Sequence, residues 1–227
     1  SQLNLKIFLG DSFKDILSGY TAYAGRPEVP PAWVFGPWKS RDWQTANQHG
    51  IVEDIDQQIE LGLPSTVKLI DARWEVAYHS FRFDPKKFPD PKAMIDVIHA
   101  NGNKLMLWIT PWMAVNNFTD PNDYYEECAT KGYFLKRPDG EIYISQMGMN
   151  PMLVGSCIDF TNPAAVAWYQ EQLRYLMYLG VDAFQTDFGE QVPEDAVFYD
   201  GRTGKEMHNL YPVLYNEITY QTMQTIK

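Results

Sequence analysis

The stretch NPAAVAWYQEQLRYLMYLGVDAFQTD (residues 162–187) decides the fold class of this chain. Asn162 is a typical helix cap and Pro163 suits the first helical turn, so a long helix is predicted that ends at Gly180. The stretch VDAFQT (residues 181–186) follows at once and predicts a strand. A helix that leads straight into a strand is the repeating unit of a parallel α/β sheet.

The same alternation of strands and helices extends toward the N-terminus. Three further strands are predicted at residues 32–38, 66–71 and 104–110. Helices are predicted at residues 11–20, 49–61, 91–100, 121–131 and 206–227, and a hairpin that turns at residues 138–140 is predicted at residues 133–144. Repeated units of this kind predict an α/β fold with a parallel sheet.

The number of strands suggests part of a barrel. Four predicted strands are half of the eight that close a (β/α)8 TIM barrel, which takes about 250 residues. A doubly wound sheet satisfies the same count, but the first predicted strand lacks the G-x-G-x-x-G turn typical of a dinucleotide site. We therefore predict the first half of a TIM barrel, strands 1–4, and expect the remaining half to lie outside this sequence.

The composition disfavours several classes of function. The 227 residues carry a net charge of -10 without a stripe of lysine and arginine, so nucleic acid is not an expected partner. No apolar run approaches the ~20 residues of a membrane span, and no signal peptide is visible, so cytoplasmic and secreted locations both stay open. The 4 histidines form no HxxxH or HxH pair, so neither a metal nor another cofactor is expected. Cys128 and Cys157 are expected to be buried free thiols.

Polar and aromatic side chains mark the ends of the predicted strands. Trp38 ends the first, Asp71 the second and Asp187 the fourth, and Trp108 lies near the end of the third. The carboxyl ends of barrel strands converge on one pocket. Paired carboxylates cleave glycosidic bonds, and indole rings stack on sugar faces.

Each of these residues also has a structural interpretation. Asp187 can cap the turn after its strand, and Asp71 can pair with Arg73 or Lys68. Tryptophan is more often a core residue than a ligand contact. Strand-end position alone therefore leaves these alternatives open.

Several motifs resemble one enzyme family. VDAFQTDFGEQVPE (residues 181–194) is similar to the nucleophile motif of glycoside hydrolase family 31, whose α-xylosidase-like branch carries KTDFGE. Further matches in the same order are FRFDPKKFPDPKAMI (residues 81–95), KLMLWITPWM (residues 104–113), KGYFLKRPDGEIY (residues 131–143), IDFTNPAAVAWY (residues 158–169) and FYDGRTGKEMHNLYPVLYNE (residues 198–217). The resemblance runs from about residue 20 to the end of the chain.

The resemblance implies a retaining, exo-acting α-glycoside hydrolase. Asp187 would be the catalytic nucleophile, and the substrate would be an α-linked oligosaccharide or glycoside. Asp71 and Trp108 would line the subsite of the non-reducing sugar, with Trp38 as a further lining residue, and Glu190 would orient hydroxyls or the nucleophile loop. The general acid/base of the family lies on the second half of the barrel, so this segment alone is expected to be inactive.

Two features of the match bear on specificity and organisation. Gln185, a candidate substrate contact, stands where α-xylosidase-like members have lysine, and the neutral amide argues against specificity for xylose. Glucose, xylose, galactose and anionic sugars all stay open, because the specificity contacts are expected to be shared with the other half of the barrel. Residues 1–24 resemble the tail of the N-terminal β-domain followed by a linker helix, and residues 25–227 are predicted to be the half-barrel.

Other residues near the matched motifs have weaker expectations. His208 falls at a matched position, but a structural role is at least as well supported. Lys39, Arg41 and Asp42 are expected to form surface ion pairs rather than to bind an anionic substituent.

Three alternative functions remain. A transglycosylase would use the same glycosyl-enzyme and transfer the sugar to another hydroxyl. A carbohydrate-binding barrel would keep the fold without catalysis, although the intact motif from Asp187 to Glu190 disfavours this. An unrelated metal-dependent barrel hydrolase is disfavoured by the lack of clustered ligands.

Overall fold

The computed structural model describes residues 3–42, 45–115, 123–147 and 153–226. It divides into a first unit, Ser1–Phe35, and a second, Gly36–Lys227. The strands are β1 (Trp38–Arg41), β2 (Val67–Ile70), β3 (Lys104–Ile109), β4 (Trp112–Ala114), β5 (Ser145–Gln146), β6 (Val154–Cys157) and β7 (Ala183–Thr186). The α-helices are α1 (Phe13–Ala24), α2 (Gln48–Glu60), α3 (Pro91–Ala100), α4 (Asp123–Lys131), α5 (Pro163–Leu179), α6 (Gly204–Met207) and α7 (Tyr211–Gln224).

The first unit contains α1 and a short 3-10 helix, Ala32–Phe35. Ser12 caps α1 by accepting a hydrogen bond from the Asp15 amide at 3.2 Å. The helix continues four residues beyond the predicted end at residue 20 and stops before Gly25, whose φ of 92° is accessible chiefly to glycine.

The prediction of a strand at residues 32–38 is wrong. A 3-10 turn forms there instead, closed by the bond from the Val34 amide to the Pro31 carbonyl at 3.0 Å. The prolines around this segment lack the N–H groups that a strand ladder requires. The first strand therefore begins at Trp38, so this residue opens β1 rather than ending it.

A four-stranded parallel sheet organises the second unit. Its strand order is β1-β2-β3-β7, and every neighbouring pair is parallel. This confirms the predicted α/β fold with a parallel sheet.

The register of the sheet separates two faces. Leu69 pairs with Met106, which pairs with Ala183, so these three side chains share one face. Because side chains alternate along a strand, Asp71, Trp108, Gln185 and Asp187 lie on that same face, which we call the site face. The opposite face, with Lys68, Ile70 and Leu107, is called the helix face.

The hydrophobic core lies against the helix face. Ile70, Leu107 and Ile109 are fully buried there, in one cluster with Ile51 and Ile55 of α2. The same cluster includes Met94, Ile95 and Ile98 of α3 and Leu173 and Leu176 of α5. The helical periodicity of these residues explains why α2, α3 and α5 were predictable from the sequence.

Helix caps confirm several predicted boundaries. Asn162 accepts a hydrogen bond from the Ala164 amide at 3.0 Å, and α5 ends at Gly180 with a φ of 122°.

The single helix predicted at residues 206–227 is instead divided into α6 and α7. Pro212, in the first turn of α7, has no N–H with which to continue a helical ladder from α6.

A second, antiparallel sheet has the order β4-β6-β5 and was not predicted. Its strands have two to four residues, too few for a periodic pattern.

The predicted hairpin near residues 133–144 has an antiparallel bridge between Lys136 and Ile142. Within the described residues, no helix is long and apolar enough to cross a bilayer.

Candidate active site

The Asp187 carboxylate lies just beyond β7 and is held at both oxygens. Its amide donates to the Ile109 carbonyl at 3.0 Å, which extends the pairing of β7 with β3. Trp108 Nε1 donates to Oδ2 at 2.8 Å, and the Phe188 amide donates to Oδ1 at 3.0 Å. Each carboxylate oxygen has two lone pairs, so both oxygens keep one for a further contact. The carboxylate is therefore fixed in orientation but remains able to bind or attack.

Trp108 links this carboxylate to an aromatic wall. The residue is 2% exposed and pairs with Gln185 across the sheet. Its ring centroid lies 5.4 Å from that of Tyr78 and 5.7 Å from that of Phe188. Its own carbonyl accepts a hydrogen bond from Trp74 Nε1 at 2.8 Å, which fixes the strand end behind the indole.

Asp71 is the second carboxylate of the site face. Its Oδ1 accepts a hydrogen bond from the Ala72 amide at 2.6 Å. Burial raises the pKa of Asp71, and the negative charges of Asp42 and Asp187 raise it further. The residues described in the structure provide no lysine or arginine ion pair to Asp71 or Asp187. These acids therefore both contribute negative charge at this end of the sheet.

Gln185 lies in the same row of the site face as Trp108. Its Oε1 is buried, and no residue in the described ranges donates a hydrogen bond to it. A buried amide oxygen without a donor is unfavourable, so this atom is available to a donor from a bound molecule.

The structure does not bring every predicted site residue to this end of the sheet. Trp38 pairs with Val67 at the amino end of β1, opposite the end that contains Asp71 and Asp187, and is 45% exposed. The predicted place of Trp38 at the carboxyl end of its strand is therefore wrong. Glu190 is exposed and lies three residues beyond Asp187.

Two other expectations concern groups outside the site. His208 Nδ1 contacts the Val192 carbonyl at 2.8 Å, which agrees with a structural role. Arg41 forms an ion pair with Asp54 at 2.9 Å on the helix face. The expectation of an ion pair for Arg41 is therefore confirmed, although Asp54 is buried rather than on the surface.

Sequence reasoning missed three aromatic residues of this region, namely Tyr78, Phe188 and Trp112. Tyr78 belongs to the irregular loop after β2, where no periodicity marks it. Burial raises the pKa of Tyr78, and the negative charges of Glu75 and Asp187 add to the effect, so its hydroxyl stays protonated as a hydrogen-bond donor. Phe188 directly follows Asp187, and a closer reading of the motif would have included it.

No group of three or more potential metal ligands occurs in the part of the chain that the structure describes. Both cysteines are buried and free. The described side chains at this end of the sheet include carboxylates, an amide and aromatic rings.

Comparisons with known proteins show the family of this chain. A family model described as the glycosyl hydrolases family 31 TIM-barrel domain matches residues 27–227. The α-xylosidase XylQ of Lactiplantibacillus pentosus is 34% identical over 232 residues, which cover 99% of this chain and 29% of that protein. An isomaltosyltransferase of Sporosarcina globispora is 30% identical over 246 residues, which cover 95% of this chain and 22% of that protein.

Solved structures give the same result. The cycloalternan-degrading enzyme from Trueperella pyogenes matches with a TM-score of 0.81 and 28% sequence identity, over 93% of this chain and 33% of that one. This chain thus spans about a third or less of the length of the proteins that it matches.

Proposed function

The chain belongs to glycoside hydrolase family 31, and on this basis we propose that it is the first half of the catalytic barrel of a retaining, exo-acting α-glycoside hydrolase. In this proposal Asp187 is the nucleophile. The observation that supports it best is the Asp187 carboxylate itself, held by the Trp108 indole and the Phe188 amide at a strand end shared with Asp71.

The proposed reaction has two displacements at the anomeric carbon. A carboxylate oxygen of Asp187 forms a bond to that carbon while the glycosidic C–O bond breaks, and the leaving oxygen takes a proton from a general acid. Water then attacks the same carbon, gives its proton to the same group acting as a base, and releases Asp187 with net retention. The general acid/base is proposed to lie on the second half of the barrel, about 5–5.5 Å from Asp187.

The negative field of the site face suits this reaction. The transition state resembles an oxocarbenium ion, so positive charge develops on the sugar ring next to Asp187. Asp71 and Asp187 have no cationic partner among the described residues, so their charge remains available to that ring. A salt bridge to either acid would weaken this stabilisation.

The other site-face residues are proposed to bind the sugar. Asp71 accepts hydrogen bonds from hydroxyls, and Trp108 with Tyr78 provides an apolar wall. Gln185 Oε1 takes a hydroxyl donor that the described residues do not supply. Glu190, being exposed, is proposed to act at the rim of the site by orienting hydroxyls or the nucleophile loop. Trp38 is left out of this subsite because it lies at the other end of the sheet.

A transglycosylase is the second candidate. The relative from Sporosarcina globispora is named an isomaltosyltransferase, and the same glycosyl-enzyme serves both reactions. A hydroxyl of an acceptor sugar would then replace water in the second displacement. Product analysis with and without an added acceptor sugar separates the two, because only transfer yields a new oligosaccharide.

The proposal is tested by measuring hydrolysis of a panel of aryl α- and β-glycosides by the complete enzyme. Asp187→Ala is compared with Asp56→Ala, an equally truncated acid at an exposed position of α2. We expect Asp187→Ala to lower kcat by about 10⁴-fold or more, and Asp56→Ala to stay within about twofold of the parent.

Each other outcome has a definite meaning. If folded Asp187→Ala still turns over substrate, Asp187 is not the nucleophile. If the parent enzyme cleaves only β-glycosides, the assignment as an α-glycosidase is wrong. Binding of sugars without turnover in the parent enzyme favours a non-catalytic barrel.

A further inference from the structure

Trp112 contacts the turn that holds Asp187 through the Phe188 backbone. The residue opens β4 and is 1% exposed. Its Nε1 donates to the Phe188 carbonyl at 3.0 Å. Trp108 and Trp112, four positions apart, thus hold the two residues of one turn: the first binds the side chain of Asp187, and the second binds the backbone of Phe188.

The turn has a backbone conformation that needs such support. Phe188 has a φ of 56°, in the left-handed region that residues with a side chain avoid. In this conformation its amide points back to Asp187 Oδ1, while its carbonyl points to Trp112. A return to negative φ would reorient both groups. The bond from Trp112 therefore favours the one backbone conformation in which the Phe188 amide orients the carboxylate.

Trp112 is itself firmly placed. Its amide donates to Thr110 Oγ1 at 3.3 Å, which fixes the corner between β3 and β4. It also pairs with Cys157 in the second sheet. The antiparallel sheet thereby provides a rigid support for the nucleophile turn, separate from the parallel sheet that bears Asp187.

We infer that Trp112 is a positioning residue for the nucleophile, acting through the Phe188 carbonyl; this inference rests on the proposed function of Asp187. Trp112 acts on the Phe188 backbone, so its loss is expected to change the alignment of attack rather than substrate binding. The effect therefore appears in kcat and not in KM.

The test compares two buried tryptophans in the complete enzyme. Trp112→Phe removes the donor to Phe188, whereas Trp168→Phe on α5 shortens an indole whose Nε1 has no acceptor among the described residues. Trp168 is 8% exposed, and its ring contacts the rings of Phe81, Tyr124 and Tyr133. We expect Trp112→Phe to lower kcat by about 10- to 100-fold with KM within about twofold, and Trp168→Phe to keep both within about twofold.

A second variant isolates the hydrogen bond from packing. Replacing Trp112 with 3-benzothienylalanine keeps the bicyclic shape and exchanges the N–H for sulfur, so the fold is preserved even if Trp112→Phe fails to fold. A comparable loss of kcat in this variant supports the inference. A kcat within about twofold of the parent overturns it, as does an equal loss in Trp168→Phe.

The same assay distinguishes this inference from the proposed function. If Asp187→Ala is inactive and the benzothienyl variant is fully active, only the role of Trp112 is wrong. If Asp187→Ala remains active, the proposed function itself fails.

Discussion

Asp54 and Asp71 are acids beside the same two strands, on opposite faces of the sheet, and their surroundings shift their pKa in opposite directions. Burial opposes ionisation of Asp54, but hydrogen bonds from Arg41 and the charge of Lys68 hold its pKa below the usual value. Burial raises the pKa of Asp71, and the neighbours that add to the shift are two further acids. On the helix face, cations thus compensate the charge of Asp54. On the site face, the charge of Asp71 adds to that of other acids.

The difference suggests which acid serves the fold and which serves the reaction. Lys68 is fully buried and binds Asp54 at 3.2 Å, so removal of Asp54 leaves an unpaired ammonium group in the core. Removal of Asp71 leaves no buried cation and relieves repulsion between acids. Stability should therefore depend on Asp54, and activity on Asp71.

Within this comparison of Asp54 with Asp71, the largest expected effect is the loss of activity in Asp71→Asn. The substitution removes the charge and one acceptor of sugar hydroxyls, so kcat/KM of the complete enzyme should fall by about 10²- to 10³-fold. Steady-state kinetics on the best aryl α-glycoside measures this. The fold should be retained, because no cation loses its partner.

The stability of Asp71→Asn has a definite dependence on pH. The folded-state pKa of Asp71 is raised, so its contribution to stability is present below the unfolded pKa and is lost as the pH rises through the folded pKa. The variant should therefore melt at or above the temperature of the parent at pH 7, and lose this advantage in acid. A clear drop in melting temperature at pH 7 would contradict the assignment of Asp71 to function.

The next largest effect is the loss of stability in Asp54→Asn. Breaking a buried ion pair on one side leaves Lys68 charged and unpaired, which costs about 3 kcal/mol or more. The midpoint of urea unfolding measures this, while kcat/KM under native conditions should stay within about threefold. Loss of activity in a fully folded Asp54→Asn protein would contradict the assignment of Asp54 to stability rather than to activity.

The dependence of this second effect on pH has the opposite sign. The folded-state pKa of Asp54 is lowered, so its contribution is present above the unfolded pKa and is lost as the pH falls through the folded pKa. Parent and variant should therefore converge in stability in acid. Asp54→Asn and Asp71→Asn thus form a matched pair with opposite profiles.

Lys68→Met should have a smaller effect than Asp54→Asn. Asp54 keeps Arg41, whose Nε and Nη2 donate at 2.9 and 3.0 Å, and methionine fills the apolar path of the lysine stem. Burial lowers the pKa of Lys68, which means that the folded state disfavours the charged form of this lysine. The free energy of unfolding should fall by about 1 kcal/mol or less, and a loss as large as that of Asp54→Asn would contradict this.

The smallest expected effect is a shift in the pH profile of Asp42→Asn. The charge of Asp42 helps to raise the pKa of Asp71, so its removal should lower that pKa. The acid limb of the kcat/KM profile should move to lower pH, with the plateau within about twofold of the parent. Movement of the limb to higher pH would contradict the proposed coupling, and Asp56→Asn serves as the exposed control.

Several elements of the fold were predictable because their signals are local. Pro91, Pro163, Asn162 and Gly180 lie where the helices begin and end, since caps depend on neighbouring residues only. The strand at residues 32–38 was predicted wrongly because apolar composition outweighed the prolines that surround it. Trp38 was assigned to the site through that same error.

The alternative pairing of Asp71 with Lys68 can be excluded from the alternation of side chains along a strand. Lys68 was considered a partner of Asp71, but residues three apart in a strand point to opposite faces. The structure places Lys68 against Asp54 instead. Strand alternation alone therefore predicts that Lys68 and Asp71 lie on opposite faces of the sheet.

The amino-acid sequence by itself determined the α/β class, the main helices and the approach of Asp71, Trp108 and Asp187 to one end of the sheet. These follow from side-chain periodicity, capping and the rule that parallel strands end together. Only the tertiary structure decided which acid is neutralised, that Phe188 adopts φ 56°, and that Trp112 holds its carbonyl. The reason is physical: burial, charge and hydrogen bonding at each atom depend on residues far apart in the chain, which only the folded molecule brings together.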